Sequence, residues 1–187
     1  MITWHRHCEC GRVMPPEGAS TPADVINALV MAGHTVATAE SLTGGLLCAA
    51  FTDVPGSSAA VRGGLVAYAT DVKARTLGVG KDLLRRYGAV SSETAAAMAD
   101  GARGLFGADV GIATTGVAGP DSQEGRAPGT VYIGLAGPDA GGEHSAEVDV
   151  LECTGATLLT GDRASIRRRT VELATAMIMA RLSEGPR

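Results

Sequence analysis

The sequence predicts an α/β protein, a three-layer α/β/α sandwich with a mixed, mostly parallel sheet. Its first part alternates short apolar runs with amphipathic segments, which is typical of parallel strands joined by helices. A strand-like run at 130–136 and an alternating run at 143–151 favour an antiparallel hairpin within that sheet. With 187 residues, 45% of them hydrophobic, the chain can bury a substantial core. We expect one domain over residues 21–183, after a disordered tail at 1–20, because chain termini seldom hold fixed structure.

The first predicted helix has clear boundary signals. Thr21 caps it, Pro22 takes its first position, Asp24 lies in its first turn and Gly33 ends it. The elements that follow are, in order, a strand at 35–38, a polar turn at 39–45, a helix at 46–51, a loop at 53–58, a strand at 64–69, a short helix capped by Asp71, a helix at 81–87, an alanine-rich helix from 91–93 to near Gly107, strands at 109–113, 130–136 and 143–151, and a last helix beginning at 161–163. The last helix is predicted to bury one face, formed by Ile166, Thr170, Leu173, Met177 and Ala180.

Composition argues against several classes of partner. The net charge of −4 and an aromatic content of only 3% disfavour nucleic-acid binding, which needs basic surfaces or stacking side chains. We find no apolar run of about 18 residues and no hydrophobic signal segment, so we expect no membrane contact and a cytoplasmic location. Apolar, alanine-rich helices suggest a homo-oligomer.

Histidine and cysteine are concentrated near the N-terminus. His5, His7, Cys8 and Cys10 have a composition that could bind zinc. The segment has no periodicity, so we favour a frayed leader and expect neither a metal nor a cofactor. Cys48 lies in an apolar helical run and is expected to be a small core residue.

The turn at 39–45, Ala-Glu-Ser-Leu-Thr-Gly-Gly, is the most informative segment. It places Ser41 where a strand passes into a helix, and unpaired N–H groups at such a junction suit an anion or a developing oxyanion. An ordinary helix cap followed by glycines for close packing explains the same residues.

Three other segments place polar or cationic groups just beyond a predicted strand or at a helix start: 68–73, 114–119 and 161–163. Ligands of open α/β sheets bind in the crevice beyond the strand ends. A pocket shared with Ser41 is therefore plausible. The basic cluster of Arg163 with Arg167, Arg168 and Arg169 suits a small phosphate, or is the solvated face of a helix.

A set of motifs occurs in a fixed order over about residues 22–182; it comprises 39–45, 55–58, 64–69, 72–73, 77–79, 88–91, 115–120, 129–131 and 161–163. On this ordered set, the chain resembles the CinA C-terminal domain family, whose enzymatic members are nicotinamide-nucleotide amidohydrolases. The resemblance implies hydrolysis of the carboxamide of nicotinamide mononucleotide to nicotinate mononucleotide and ammonia, in pyridine nucleotide recycling.

The resemblance also implies roles for particular residues. Ser41 corresponds to the nucleophile, Lys73 to its partner lysine and Tyr68 to a nearby tyrosine. The positions linked to substrate binding or activity are Thr43, Gly44, Gly45, Ser58, Thr115, Gly116 and Arg163. These roles are chemically sound because a serine hydroxyl needs a base, and a lysine serves as that base only when its pKa is lowered.

This sequence differs from the family's usual pattern at two places, and functions other than amide hydrolysis of this nucleotide stay open. Leu42 stands where many members have cysteine, and the segment at 151–160 is longer than usual, which affects the loop beside Arg163. Asp162 is expected to be a helix cap rather than a catalytic acid. The alternatives are a non-catalytic nucleotide- or protein-binding module, since family members have been associated with competence and DNA-damage responses, and a hydrolase of another amide or ester.

Overall fold

The computed structural model describes residues 5–6, 20–137 and 148–183. The strands are β1 (His5–Arg6), β2 (Val36–Glu40), β3 (Val61–Val66), β4 (Val110–Gly116), β5 (Val131–Ala136) and β6 (Val148–Cys153). The helices are α1 (Pro22–Ala32), α2 (Leu46–Thr52), α3 (Thr70–Leu77), α4 (Lys81–Tyr87), α5 (Ser92–Phe106) and α6 (Arg163–Ser183). Short 3₁₀ turns lie at Ser57–Ala59 and Gly155–Thr157.

The strands form one mixed sheet in the order β1-β6-β5-β4-β2-β3. Pairs β2–β3, β2–β4 and β1–β6 are parallel, while β4–β5 and β5–β6 are antiparallel. Helices α1, α2 and α6 pack on one face and α3, α4 and α5 on the other. This arrangement confirms the predicted α/β/α sandwich.

The two faces of the sheet are packed differently. Large aliphatic side chains fill the face under α1, α2 and α6, whereas alanines dominate the face under α5. Glycines let α5 approach the strands: a Cβ at Gly111 would lie 2.0 Å from the carbonyl oxygen of Ala99, and one at Gly134 would lie 2.3 Å from that of Ala95. The abundance of glycine and alanine therefore reflects close helix–sheet contact.

Most of the predicted boundaries are confirmed. Thr21 and Asp24 form a capping box on α1, and Gly33 ends that helix in the left-handed conformation. Helix α4 occupies the predicted residues 81–87, and α5 runs from the cap at Ser91 to Gly107. Thr35 precedes β2, which continues beyond the predicted 35–38 to Glu40.

Four predictions of local structure need correction. Strand β3 lies three residues earlier than predicted, because pairing with β2 begins at Val61 and the chain leaves the sheet after Val66. Asp71 lies within the first turn of α3, whose cap position is Ala69. Strand β6 continues to Cys153, two residues beyond the predicted end at 151, and the predicted start at 143–147 lies outside the described residues. Cys48 is only partly buried.

The buried face of α6 also differs from the prediction beyond its second turn. Ile166 and Thr170 are buried as expected, but Ala174 and Ile178 continue that face. Leu173 and Met177 are partly buried and pack against the core. Of the tail predicted at 1–20, the structure describes β1, which pairs with β6, and Ser20, so disorder of that segment stays a prediction.

Candidate active site

The candidate site lies at the edge of the sheet where β2, β3 and β4 end. Ser41 follows β2, Tyr68 follows β3, and Thr115 and Gly116 close β4. Strand β6 ends at the same edge, since Cys153 pairs with Val131 at the start of β5, and the chain then leads to α6. Parallel strands thus collect their polar turns in one crevice. A cavity of about 250 Å³ lies there, lined by Ser41, Tyr68, Lys73, Thr115, Gly116 and Arg163 among others.

A tight turn holds Ser41 against β4. Its N–H donates to the carbonyl oxygen of Thr114 over 2.9 Å, and its own carbonyl oxygen accepts from the N–H of Gly44 over 3.1 Å. Gly44 has a φ of +59°, in the left-handed region that favours glycine. The N–H groups of Leu42 and Thr43 have no acceptor among the residues that the structure describes. Two backbone donors thus follow directly after the serine hydroxyl.

Lys73 projects from α3 into the protein, where only 1% of its surface is exposed. Its Nζ lies 3.1 Å from Ser41 Oγ, 2.8 Å from the carbonyl oxygen of Ala67 and 3.1 Å from that of Tyr68. In the part of the chain that is described, no carboxylate forms an ion pair with it. A buried lysine with only neutral hydrogen-bond partners is poorly suited to carry a charge.

Burial lowers the pKa of Lys73 from 10.5 to about 8. The carboxylate of Glu124 opposes this shift by favouring the charged ammonium. Glu124 is held nearby, because its Oε2 accepts from the N–H groups of Ala89 (2.8 Å) and Val90 (3.2 Å). Near physiological pH, a much larger fraction of Lys73 is therefore neutral than of a lysine with the ordinary pKa.

The three contacts of Lys73 define what its neutral form does. A neutral amine has two N–H donors and one lone pair. The carbonyl oxygens of Ala67 and Tyr68 only accept, so they take the two N–H groups. The lone pair is left for Ser41, whose hydroxyl both donates and accepts. The geometry thus suits transfer of the serine proton to the amine.

Tyr68 and Arg163 lie together on the cavity wall. Arg163 Nη2 donates to the Tyr68 hydroxyl over 2.9 Å, and Nη1 donates to the carbonyl oxygen of Gly119 over 2.9 Å. Both side chains are exposed, and in the described ranges Arg163 forms no ion pair. A guanidinium with only neutral partners can still attract an anion.

Thr115 and Gly116 support the opposite wall. The Thr115 hydroxyl is buried and donates to the carbonyl oxygen of Ala89 over 2.6 Å. A Cβ at Gly116 would lie 2.4 Å from the carbonyl oxygen of Thr130, so this position needs glycine. Both residues shape the cavity, and the Thr115 hydroxyl already has an acceptor.

The structure does not bring Thr43, Gly44, Gly45 and Ser58 to the cavity surface. Thr43 is buried, and its hydroxyl lies 2.7 Å from that of Thr114. The N–H of Gly45 donates to Glu40, and Ser58 lies in the 3₁₀ turn after α2. In this structure the first three residues build the turn.

Sequence reasoning missed two charged residues that organise this turn. Glu40 is buried, and its carboxylate accepts from the N–H groups of Gly45 (2.9 Å), Leu47 (3.0 Å) and Cys48 (2.8 Å). It therefore occupies the anion site at the start of α2. Arg167 donates to the carbonyl oxygens of Leu42 and Thr43. A carboxylate at the end of an otherwise apolar strand was the available signal for Glu40.

The remaining features of this region are structural. Asp162 caps α6, as predicted, by accepting from the N–H of Ser165 over 2.8 Å. The segment at 151–160 continues from the end of β6 and is tied to the loop before β5, where the N–H of Leu159 donates to the carbonyl oxygen of Gly129 over 3.0 Å. Arg169 pairs with Glu172, and Arg168 donates to the Ser165 hydroxyl. The basic cluster is thus divided among separate contacts.

The described residues contain neither a metal-binding cluster nor a membrane-spanning helix. No group of three or more histidine, cysteine, aspartate and glutamate side chains is placed there to hold a metal ion. The side chains of His5, His7, Cys8 and Cys10 lie outside that part. Among the same residues, no helix has the length and apolar character needed to span a membrane.

Comparisons with known proteins agree with this architecture. The chain is 51% identical over 162 residues to a CinA-like protein of Frankia casuarinae, covering 87% of this chain and 35% of that protein. It is 42% identical over 176 residues to a CinA-like protein of a Mycobacterium species, covering 94% and 39%. The chain therefore spans about a third of the length of these curated relatives.

Solved structures give the same result. A CinA superfamily protein from Klebsiella pneumoniae matches with a TM-score of 0.79 at 29% identity, covering 87% of this chain and 96% of that one. A competence/damage inducible protein from Agrobacterium tumefaciens matches with a TM-score of 0.74 at 35% identity, covering 87% and 95%. The family model of the CinA C-terminal domain matches residues 19–182. Since this match spans strands β2 to β6, the helices packed on them and the Ser41 crevice, the chain belongs to the CinA C-terminal domain family.

Proposed function

We propose that this protein is an amidohydrolase that converts nicotinamide mononucleotide to nicotinate mononucleotide and ammonia, with Ser41 as nucleophile and Lys73 as base. The observation that carries the proposal is the 3.1 Å separation of Lys73 Nζ and Ser41 Oγ at a cavity wall. A buried amine with two carbonyl acceptors and a serine hydroxyl is arranged as a Ser–Lys pair. The choice of substrate rests on the resemblance to the enzymatic members of the family.

In the first step, Ser41 Oγ attacks the carboxamide carbon and its proton passes to Lys73 Nζ. The carbonyl oxygen of the substrate becomes negative, and the N–H of Leu42, a residue of the cavity wall, is the backbone donor next to it. The C–N bond then breaks, and Lys73 returns the proton to the departing nitrogen, which leaves as ammonia. Ser41 is left as an ester of the nicotinate group.

In the second step, water replaces the amide nitrogen. Lys73, again neutral, accepts a proton from water as the water oxygen attacks the ester carbon. The bond between that carbon and Ser41 Oγ breaks, and Lys73 gives the proton back to Ser41. The nicotinate group leaves as a carboxylic acid, which loses its proton to solvent to give the carboxylate, and the enzyme regains its starting state.

Arg163 gives the cavity a binding point for an anionic group of the substrate. Its guanidinium lines the cavity and is fixed by a hydrogen bond to Tyr68, and Asp121 is also among the lining residues. A phosphate bound at Arg163 would anchor the nucleotide while the carboxamide reaches Ser41. Tyr68 thus serves to position the anchor beside the reacting pair.

The proposal is tested by measuring ammonia release from nicotinamide mononucleotide. The purified protein should release ammonia, and Ser41→Ala should lower the rate by at least ~10³-fold. The control is Ser57→Ala, which alters a partly buried serine of the 3₁₀ turn that does not line the cavity, and it should leave the rate unchanged. Full activity of Ser41→Ala would reject the nucleophile assignment. Binding of the nucleotide without turnover by the unaltered protein would favour a non-catalytic module.

A further inference from the structure

A second arginine of α6, Arg167, contacts the turn that carries Ser41. It has no role in the proposed steps of amide hydrolysis. It lies one helical turn after Arg163. Its Nε donates to the carbonyl oxygen of Leu42 over 3.0 Å, and its Nη2 donates to that of Thr43 over 2.6 Å. These contacts join positions 125 and 124 residues apart in the sequence, so α6 holds the turn from outside.

The charge of Arg167 is directed at the backbone of the turn. Arg169, two positions later, is paired with Glu172, whereas across the described ranges Arg167 has no carboxylate partner. Gly44 leaves room for the contact, since a Cβ there would lie 3.2 Å from Arg167 Nη2. The planar guanidinium reaches two adjacent carbonyl oxygens at once, which a lysine ammonium does less well.

A cation on a carbonyl oxygen strengthens the N–H of the same peptide group as a donor, because the planar peptide is polarised as a unit. The Leu42 carbonyl shares its peptide with the N–H of Thr43. The Thr43 carbonyl shares its peptide with the N–H of Gly44, which donates to the carbonyl of Ser41. The Ser41 carbonyl in turn shares its peptide with the N–H of Leu42. Both donors that lack an acceptor among the described residues thus belong to a chain of peptides that Arg167 polarises.

We propose that Arg167 is a positioning residue that holds the turn at Leu42 and Thr43 and polarises the N–H of Leu42, at the cavity wall, for the negative oxygen of the tetrahedral intermediate. The inference rests on the proposed chemistry at Ser41. It assigns the two arginines of α6 different tasks, since Arg163 faces the cavity and Arg167 supports the turn behind the nucleophile.

The test compares Arg167→Ala and Arg167→Lys with the control Arg168→Ala, which removes an exposed neighbour whose hydrogen-bond acceptor among the described residues is the Ser165 hydroxyl. The kcat of Arg167→Ala should fall ~10- to 100-fold with KM within ~3-fold, because the contact acts on the transition state. Arg167→Lys should retain an intermediate kcat. Added guanidinium ion at low millimolar concentration should restore part of the Arg167→Ala rate, and Arg168→Ala should match the unaltered protein.

The possible failures are separable. If the unaltered protein is active and folded Arg167→Ala keeps its kcat, or changes only KM, the inference is wrong and the proposed function stands. If Arg167→Ala fails to fold, Arg167→Lys is measured instead, and an unchanged kcat or a change in KM alone again shows that the inference is wrong. If the unaltered protein releases no ammonia, the role of Arg167 is tested by the rate at which a fluorophosphonate labels Ser41.

In that labelling Ser41 Oγ bonds to phosphorus as fluoride leaves and Lys73 takes the serine proton. A ~10-fold slower reaction in Arg167→Ala supports the inference without the amidohydrolase proposal. An equal rate, or no labelling of the unaltered protein, overturns it.

Discussion

Arg163 and Tyr68 lie 95 positions apart in the sequence, yet Arg163 Nη2 donates to the Tyr68 hydroxyl over 2.9 Å on the cavity wall. Tyr68 is 59% exposed, so this bond does not serve the core. It fixes a guanidinium whose described partners are neutral oxygens. The pair therefore bears on ligand binding rather than on stability.

Tyr68→Phe should weaken binding of nicotinamide mononucleotide. Loss of one hydrogen bond to a charged group, about 1 kcal/mol after solvent compensation, corresponds to a ~5-fold higher Kd. The binding is measured by calorimetry with Ser41→Ala as background, so that no turnover occurs. Thermal unfolding should be unchanged, because the hydroxyl is exposed. An unaltered Kd would exclude this role of the Tyr68 hydroxyl.

Lys73→Met should change the pH dependence of stability. The pKa of Lys73 is about 8 in the folded protein, below its ordinary 10.5, so the unfolded chain binds more protons between these values. The free energy of unfolding of the unaltered protein, relative to that of Lys73→Met, should therefore rise as the pH increases from about 8 to about 10.5. Urea titrations at several pH values measure this difference, and a constant difference would refute the shift.

Glu40→Ala should destabilise the protein by about 2–4 kcal/mol. The buried carboxylate accepts three backbone N–H groups at the start of α2, and its removal leaves them without that acceptor. The matched control is Glu172→Ala, which removes an exposed carboxylate paired with Arg169 and should cost less than about 1 kcal/mol. Equal losses in urea denaturation would contradict the role of Glu40.

Gly134→Ala should be destabilising by about 2 kcal/mol or more, because the added Cβ would lie 2.3 Å from the carbonyl oxygen of Ala95 on α5. Gly104→Ala is the control. That glycine lies in α5 with nothing within 4 Å of its added Cβ, so alanine should stabilise the helix by up to about 1 kcal/mol. The same direction of change for both variants would overturn the account of close helix–sheet packing.

Local sequence signals were sufficient to predict the bounds of helices that begin and end at their own capping residues. The capping box of Thr21 and Asp24 and the terminal Gly33 determine α1 without help from the rest of the chain. Ser91 and Gly107 do the same for α5. These signals act within one helical turn, so a single sequence contains them.

Elements set by distant partners were less predictable. Strand β3 includes Arg62, Gly63 and Gly64, which give little strand signal, and its position follows from pairing with β2. Residues Ala67 and Tyr68, predicted as strand, instead supply the carbonyl oxygens that bind Lys73. No local pattern contains that information.

The candidate site was predictable in part. The resemblance selected Ser41, Lys73, Tyr68 and Arg163, and the fold brings all four to one cavity. The tasks of Glu40 and Arg167 depend on contacts with the backbone of the turn, which residue type does not specify. Gly44 and Gly45 were selected as substrate contacts, whereas their described contacts lie within the turn and its support.

The most direct test of the account is the pH dependence of kcat/KM for ammonia release from nicotinamide mononucleotide, measured beside Lys73→Arg. A neutral amine must accept the Ser41 proton, so kcat/KM should rise with pH and level off above an apparent pKa of about 8. Lys73→Arg, which stays charged, should be inactive. A rate that is flat between about pH 6 and pH 10, or an active Lys73→Arg, would contradict the assignment of Lys73 as the base.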